Sequence, residues 1–237
     1  MPNLFGEWEQ TPQALKNLLT DADVHENFVP QLETFAAHIL KLVDSSPDIA
    51  IYRTVRQDNA QSFYYGYSHA LHTGVLCVLT ARRLRWPPAR VQTLLKAALT
   101  MNLSILDLQG EMAGQDVPMR ERQQAEIRSH PEDTVAMLQK WGVSDTEWLQ
   151  AVAQHHEHPD GTGYPKGCAD MGEMALAPQE AVRQLYREDH GGHPVARTLK
   201  HDTSQAGFAI VGTAGHPAML ARLPPERLYG FAKVQTG

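Results

Sequence analysis

The chain has 237 residues, of which 42% are hydrophobic and 20% are charged, a composition typical of a globular protein with a sizeable core. Its formal net charge of −6, with no basic cluster along the chain, gives no electrostatic footprint for a nucleic-acid backbone, so we expect no nucleic-acid partner. No apolar run approaches the roughly 20 residues that span a bilayer, and the N-terminus lacks the basic and apolar segments of a secretory signal. We therefore expect a cytoplasmic protein with no membrane partner.

The cysteine and histidine content indicates which kinds of functional site the chain could form. Cys77 and Cys168 are too few for a disulfide framework, and Cys77 lies in an apolar helical run, which favours a buried thiol without chemistry. Twelve histidines are many for this length. We therefore looked for a site built from histidines.

Residues 1–60 show helical periodicity, which is clearest before the Ser45-Ser46-Pro47 break. We predict that this region forms a helical layer packed on the domain that follows. The alternative is an input or dimerising surface, which would allow a homo-oligomer. Four apolar residues share one face of the clearest helix: Leu32, Phe35, Ile39 and Leu42.

Further helical patterns fill the middle of the chain. Trp86-Pro87-Pro88 separates the first two, because proline ends one helix and suits the first position of the next. Gly142 predicts another helix end, and Ser144 or Asp145 predicts a new N-cap. We predict an all-α bundle in residues 61–190 and an irregular C-terminal tail in residues 191–237. The predicted helical stretches are residues 67–85, 89–109, 119–141 and 146–158.

The most distinctive stretch runs from Gln154 to Gly167 and reads QHHEHPDGTGYPKG. It places His155 and His156 side by side on the last turn of a helix, where adjacent imidazoles point in different directions. Neutral imidazole is a common ligand of borderline metal ions, so the pair could serve two neighbouring ions, or one ion and a phosphate group. The alternative is a helix end whose histidines favour the negative end of the dipole.

A polar turn follows the two histidines. Glu157 and Asp160 add carboxylates, while Gly161 and Gly163 permit backbone conformations with positive φ. Tyr164-Pro165 then stiffens the exit from the turn. The combination is more specific than any one of these residues would be alone.

The pattern H-H-E-x-x-D-G-x-G-Y-P, from His155 to Pro165, resembles the signature of the HD-GYP family. Members of that family are helical, metal-dependent phosphodiesterases of the bacterial messenger cyclic di-GMP. The resemblance implies an HD-domain-like helical bundle, a divalent ion such as Fe, Mn or Zn, and cyclic di-GMP as the ligand. It covers about residues 60–167.

The resemblance also implies which residues form the site. The segment H-A-L-H-T-G corresponds to the entry of a metal-binding helix, with His69 in the ligand position, and the H-P pair provides His130. The alternative for His130 is a solvent-facing helix boundary, because Pro131 suits a first helical position. The implied metal ligands are His69, His130, His155 and His156, and the ligand-binding residues of the turn are Glu157, Asp160, Gly161, Gly163, Tyr164 and Pro165.

The chain departs from the family pattern in the helix that gives the family its name. There the family reads A-A-L-L-H-D-I-G-K, whereas this chain has Met101, Asn102 and Ile105 at the His, Asp and Lys positions. A thioether and a neutral amide are poor ligands for hard or borderline divalent ions, and isoleucine cannot steady a phosphate. The Asp-bearing segment that follows the GYP run in the family has no counterpart here. We therefore assign no catalytic residue.

Three hypotheses follow. The first is a degenerate HD-GYP-like signalling domain that binds cyclic di-GMP or a signalling protein with little or no hydrolysis. The second is a metal-dependent cyclic di-GMP phosphodiesterase with a non-standard metal site, in which Asp107, Glu111 or Asp189 replaces the lost acids. The third is a structural helical domain whose histidines bind nothing. We favour the first, because the departures fall on metal-binding positions while the helical pattern around them is kept.

Overall fold

The structure is a computed structural model that describes residues 4–20, 27–55 and 64–172, and this part is helical without a strand. The predicted all-α fold class is confirmed. Within the described ranges, no helix is long and apolar enough to cross a membrane. The predicted boundary at residues 60 and 61 and the predicted tail lie outside the described residues. The helices are α1 (Leu4–Thr20), α2 (Phe28–Ser45), α3 (Pro47–Val55), α4 (Tyr65–Arg83), α5 (Pro88–Thr100), α6 (Leu106–Ala113), α7 (Glu121–Lys140) and α8 (Thr146–Gln154), with a 3₁₀ turn at Leu103–Ile105 between α5 and α6.

The N-terminal helices are a layer of the same hydrophobic core as the rest of the bundle. The predicted face of α2 is buried, with Leu32, Ile39 and Leu42 between 0 and 2% exposed. The helix ends at Ser45, where the backbone turns extended and the N–H of Ser46 donates to the carbonyl of Leu42. The buried residues of α1 and α2 join those of α4, α5 and α8 in one cluster.

Helices α4 and α5 form the central pair of the bundle. They approach closely at Gly74, where an added Cβ would lie 2.7 Å from Cδ1 of Leu95. The predicted break at Trp86-Pro87-Pro88 is confirmed: α4 ends at Arg83, and Pro88 opens α5. Helix α6 packs against α4, and α8 packs against α5.

The single helix predicted for residues 89–109 is wrong, because α5 ends at Thr100 and a 3₁₀ turn precedes α6. The turn is held by α7. The hydroxyl of Ser104 donates to the carbonyl of His130 at 3.2 Å, and its backbone N–H donates to the Thr134 hydroxyl at 3.3 Å. These hydrogen bonds come from a helix about 30 residues away in sequence, so the local apolar pattern does not report the break.

Helix α8 is fixed at both ends. Asp145 caps its N-terminus by accepting a hydrogen bond from the N–H of Trp148 at 3.1 Å, as predicted. The indole N–H of Trp148, a fully buried residue, donates to the hydroxyl of Thr100 on α5 at 3.0 Å. Gly142 takes a φ of +88° in the preceding connection, which confirms the predicted helix end. The C-terminus of α8 is thereby placed beside α7.

Candidate functional site

Three of the four predicted metal ligands meet where α7 passes the end of α8. His130 comes from the middle of α7, and His155 and His156 follow the last turn of α8. One ring nitrogen from each lies within 4.8 Å of the others. His130 and His155 are each 1% exposed, and His156 is partly buried. We call this group the histidine centre.

Burial keeps the histidine centre uncharged. It lowers the pKa of His130 to about 4. The pKa values of His155 and His156 fall well below their ordinary value, first because the rings are buried and then because neighbouring histidines disfavour a second charge. At neutral pH the three rings are therefore neutral, which is the form that binds a metal ion.

His130 is oriented by the proline that follows it. Pro131 lies inside α7 and His130 is buried, so the alternative of a solvent-facing helix boundary at this pair is wrong. Proline has no N–H and cannot donate to the carbonyl of Ile127, four residues earlier. Nδ1 of His130 occupies that place, 2.5 Å from the Ile127 oxygen. A carbonyl oxygen only accepts, so Nδ1 carries the hydrogen and Nε2 carries the lone pair.

His155 is oriented in the same way by a helix end. Its Nδ1 lies 2.6 Å from the carbonyl oxygen of Val152, one of the last carbonyls of α8. Nε2 of His155 therefore also carries a lone pair, and it faces Nε2 of His130 at 3.0 Å. Two imidazole nitrogens at about 2.1 Å from one ion, at right angles to each other, would be about 3.0 Å apart. The pair thus fits a shared cation.

His156 supplies a third nitrogen. Its Nδ1 is buried and has no hydrogen-bond partner among the described residues, an arrangement that costs free energy unless a ligand satisfies the atom. Three neutral imidazoles suit one ion of borderline softness, such as Zn²⁺ or Fe²⁺, better than a hard ion. The residues present therefore fit a divalent metal, which the histidine centre would hold through His130, His155 and His156.

His69 lies at the edge of the histidine centre. It is near enough to lower the pKa values of both His155 and His156, and burial lowers its own pKa to about 4. Its ring stacks on Tyr65 with the centroids 6.0 Å apart. Because the group of nitrogens within 4.8 Å does not include it, its part as a metal ligand stays a prediction.

The residues at the positions that the resemblance assigns to the family's His-Asp pair are buried. Met101 and Asn102 are 2% and 6% exposed, and Asn102 lies two residues before Ser104, which contacts the backbone of His130. Asp107 and Glu111 on α6 are exposed and do not belong to the histidine centre. Asp189 lies outside the described residues. Among the described residues, the metal-ligating group contains no carboxylate.

Glu157 holds the loop after the histidine centre. The side chain is 1% exposed, and its two oxygens accept hydrogen bonds from the backbone N–H groups of Lys166 at 2.8 Å and Cys168 at 3.0 Å. These bonds close the loop over residues 158–165. The predicted contact of Glu157 with a ligand stays a prediction, and sequence reasoning did not foresee its part in closing the loop.

Gly163 lets the loop lie directly on the histidine turn. A Cβ there would come within 2.4 to 2.5 Å of backbone atoms of His156, Glu157 and His158, so no other residue fits without moving the chain. The next residue, Tyr164, donates its N–H to the carbonyl of His156 at 3.1 Å. Its ring stacks on that of His156, with centroids 4.4 Å apart and planes 17° apart.

The rest of the loop is held by local polar contacts. Asp160 accepts hydrogen bonds at Oδ1 from the N–H and the hydroxyl of Thr162, at 3.0 and 2.6 Å, and these bonds lower the pKa of Asp160. Of the two glycines expected to allow positive φ, Gly161 takes it, at +76°, whereas Gly163 does not and is required instead by its close backbone contacts. Gly167 also has a positive φ, of +63°. Pro165 follows a cis peptide bond. The exposed Asp160 thus shapes the turn, and its ligand contact stays a prediction.

Sequence reasoning missed two residues that border the site. The side-chain amide of Gln154 donates to the carbonyl of Asp170 at 3.1 Å and accepts from the N–H of Gly172 at 2.7 Å, which ties the chain after the loop to α8. The guanidinium carbon of Arg128 lies 5.7 Å from the centroid of the Tyr164 ring. The sequence signals were present, since Gln154 opens the histidine run and Arg128 comes two residues before His130.

Comparison with known proteins agrees with this geometry. The HD domain family matches residues 40–173, more than half of the chain, and this range includes the whole histidine centre. A cyclic di-GMP phosphodiesterase of Pseudomonas aeruginosa is 26% identical over 122 residues, which are 52% of this chain and 30% of that relative. The aligned part thus spans less than a third of the relative. We conclude that the chain belongs to the HD domain family, as its resemblance to HD-GYP proteins predicts.

Proposed function

We propose that this protein is a signalling domain that holds one divalent ion on its histidine centre and binds cyclic di-GMP there, or a signalling protein, with little or no hydrolysis. Family membership and the relative described as a cyclic di-GMP phosphodiesterase support the class of ligand. The observation that carries the proposal is the donor set. Among the described residues, the metal-ligating group consists of three neutral ring nitrogens and includes no carboxylate.

Charge explains why this donor set favours one ion. Two divalent ions about 4 Å apart repel each other by about 17 kcal/mol at an effective dielectric constant of about 20. Two-metal hydrolytic sites offset this repulsion with bridging carboxylates, which also anchor the attacking water. Neutral imidazoles do neither. A single bound ion would supply a positive charge that polarises a phosphate oxygen.

The residues of the chain prepare the site for such a ligand. The carbonyls of Ile127 and Val152 fix the two rings that face each other, so both lone pairs point to one place. Glu157 closes the loop, and the ring of Tyr164 covers His156. Together these contacts fix the ligand nitrogens before an ion arrives, which favours tight binding.

Metal content tests the histidine centre directly. His155→Ala and His156→Ala should each lower the metal content of the purified protein severalfold without unfolding it, as measured by elemental analysis and circular dichroism. His38→Ala, at an exposed histidine on α2, is the control and should leave the metal content unchanged. An unchanged content in both centre variants would place the metal elsewhere.

Ligand binding and turnover separate the hypotheses. The protein is loaded anaerobically with Fe²⁺, and separately with Mn²⁺, and its binding of cyclic di-GMP is measured by calorimetry while chromatography follows the products. We expect binding with unaltered nucleotide. Formation of the linear dinucleotide or GMP would instead support a phosphodiesterase with a non-standard metal site, the function that the relative's description favours. Absence of both metal and nucleotide binding would leave a structural helical domain.

A further inference from the structure

Arg128 places a positive charge next to the histidine centre. It is exposed on α7, and its guanidinium carbon lies 5.7 Å from the Tyr164 ring centroid. Tyr164 in turn stacks on His156 at 4.4 Å. One aromatic ring therefore connects the guanidinium to the histidine centre. Burial raises the pKa of the Tyr164 hydroxyl, and the positive charge of the guanidinium partly offsets this rise.

The hydrogen-bond donors of Arg128 are available to a ligand. Among the described residues, no hydrogen bond or ion pair reaches its guanidinium. Arg122 on the same helix pairs with Glu126, four residues later, at 2.7 Å. Glu132 stands at the same spacing from Arg128, yet its carboxylate lies 3.8 Å from the ammonium of Lys166 on the loop. The usual helical partner of Arg128 is thus engaged with the loop.

We propose that Arg128 binds a phosphate group of the nucleotide held at the histidine centre, an inference that rests on the proposed function. The protein carries a net charge of −6, so an anionic ligand needs cations at the site, and Arg128 offers one that has no ion-pair partner among the described residues. The guanidinium presents five donors in a planar fork that matches two phosphate oxygens. Its contact with Tyr164 keeps this fork beside the histidine centre rather than free in solution.

The test compares two arginines of α7 in the metal-loaded 237-residue chain. Arg128→Gln removes the charge beside the histidine centre, and Arg122→Gln removes a similar charge from the same helix outside the site. Calorimetry measures the dissociation constants of cyclic di-GMP and of pyrophosphate, a probe with phosphate groups alone, at two salt concentrations. We expect Arg128→Gln to weaken both by about tenfold or more and to reduce the salt dependence. Arg122→Gln should change neither by more than about twofold.

The two probes distinguish failure of this inference from failure of the proposed function. If cyclic di-GMP binds equally well to wild type and Arg128→Gln, the inference is overturned and the proposed nucleotide binding stands. If only pyrophosphate binds, and Arg128→Gln weakens it, the phosphate site stands and cyclic di-GMP is the wrong ligand. If neither probe binds the metal-loaded wild type, this inference and the proposed nucleotide binding are both overturned. Arg128→Lys, which keeps the charge without the fork, should give an intermediate loss.

Discussion

Replacing Pro131 with alanine should stabilise the protein and weaken its metal binding at the same time. Alanine at this position gains an N–H that can donate to the carbonyl of Ile127, the oxygen that now lies 2.5 Å from Nδ1 of His130. The helical hydrogen bond that proline removes is restored, and the His130 ring must share the Ile127 carbonyl oxygen with the new N–H. The ring of His130 is then free to change its tautomer and orientation.

The two effects have different sizes. Proline inside a helix costs about 3 kcal/mol relative to alanine. The substitution also removes about two buried methylene groups of the proline ring, which lowers the expected gain in stability by about 1.6 kcal/mol. The metal-free variant should therefore be about 1 kcal/mol more stable to urea. Loss of an outer hydrogen bond to a ligating histidine typically lowers metal affinity by about 10-fold to 100-fold.

Urea unfolding of the metal-free protein and competition with a chelator measure the two quantities. Pro12→Ala is the matched control, because Pro12 also lies inside a helix, α1, and belongs to no part of the histidine centre. It should leave the metal affinity unchanged. A Pro131→Ala variant that binds metal as tightly as the wild type would refute the argument that the freed carbonyl of Ile127 orients His130.

Three further predictions concern the loop and the effect of acid. Gly163→Ala should cost about 1–3 kcal/mol in urea unfolding and lower metal affinity, because the new Cβ meets three backbone atoms; Gly142→Ala, strained only by its φ of +88° with no atom within 4 Å, should lose stability but keep its metal affinity, and an equal loss of metal affinity in both variants would contradict the steric reason. Glu157→Gln leaves one loop N–H facing an amide group instead of an acceptor, so the loop should lose about 2 kcal/mol of local stability, seen as faster hydrogen exchange at the amides of residues 166 and 168. Unchanged exchange would show that these bonds do not hold the loop. His69 and His130 have folded pKa values of about 4, below the unfolded value near 6.5, so the unfolded chain binds more protons between these limits. Metal-free stability should therefore be full above about pH 6.5 and fall towards pH 4, by at most about 3 kcal/mol for each ring. A flat free energy of unfolding from pH 7 to pH 5 would mean that neither ring resists protonation.

Local patterns predicted the elements that local chemistry controls. The apolar face of α2, the break at Pro87 and Pro88 and the Asp145 cap were all visible as spacing or as residue type, and all three are confirmed. The GYP run also predicted the part of the chain where the histidines lie close together, because Gly163 in this run allows the loop to pack on the turn that holds His156.

The features that the sequence did not predict depend on contacts between residues far apart in the chain. The end of α5 depends on hydrogen bonds from Ser104 to α7, and no pattern within α5 contains them. Pro131 suggested a helix start, because that is its commonest helical position. Inside α7 it instead frees a carbonyl for His130, a use that depends on the ring being buried against His155 from a second helix.

The close approach of α4 and α5 at Gly74 has a consequence for how this scaffold can change over time. The contact depends on the missing Cβ of Gly74 and on Leu95, and neither residue belongs to the group that bears the ligand nitrogens. Met101 also keeps an apolar side chain inside the bundle and belongs to the same core cluster as Leu95. Substitutions confined to the residues that bear ligand nitrogens should therefore leave this crossing in place, so an engineer can rewrite the pocket on the same frame.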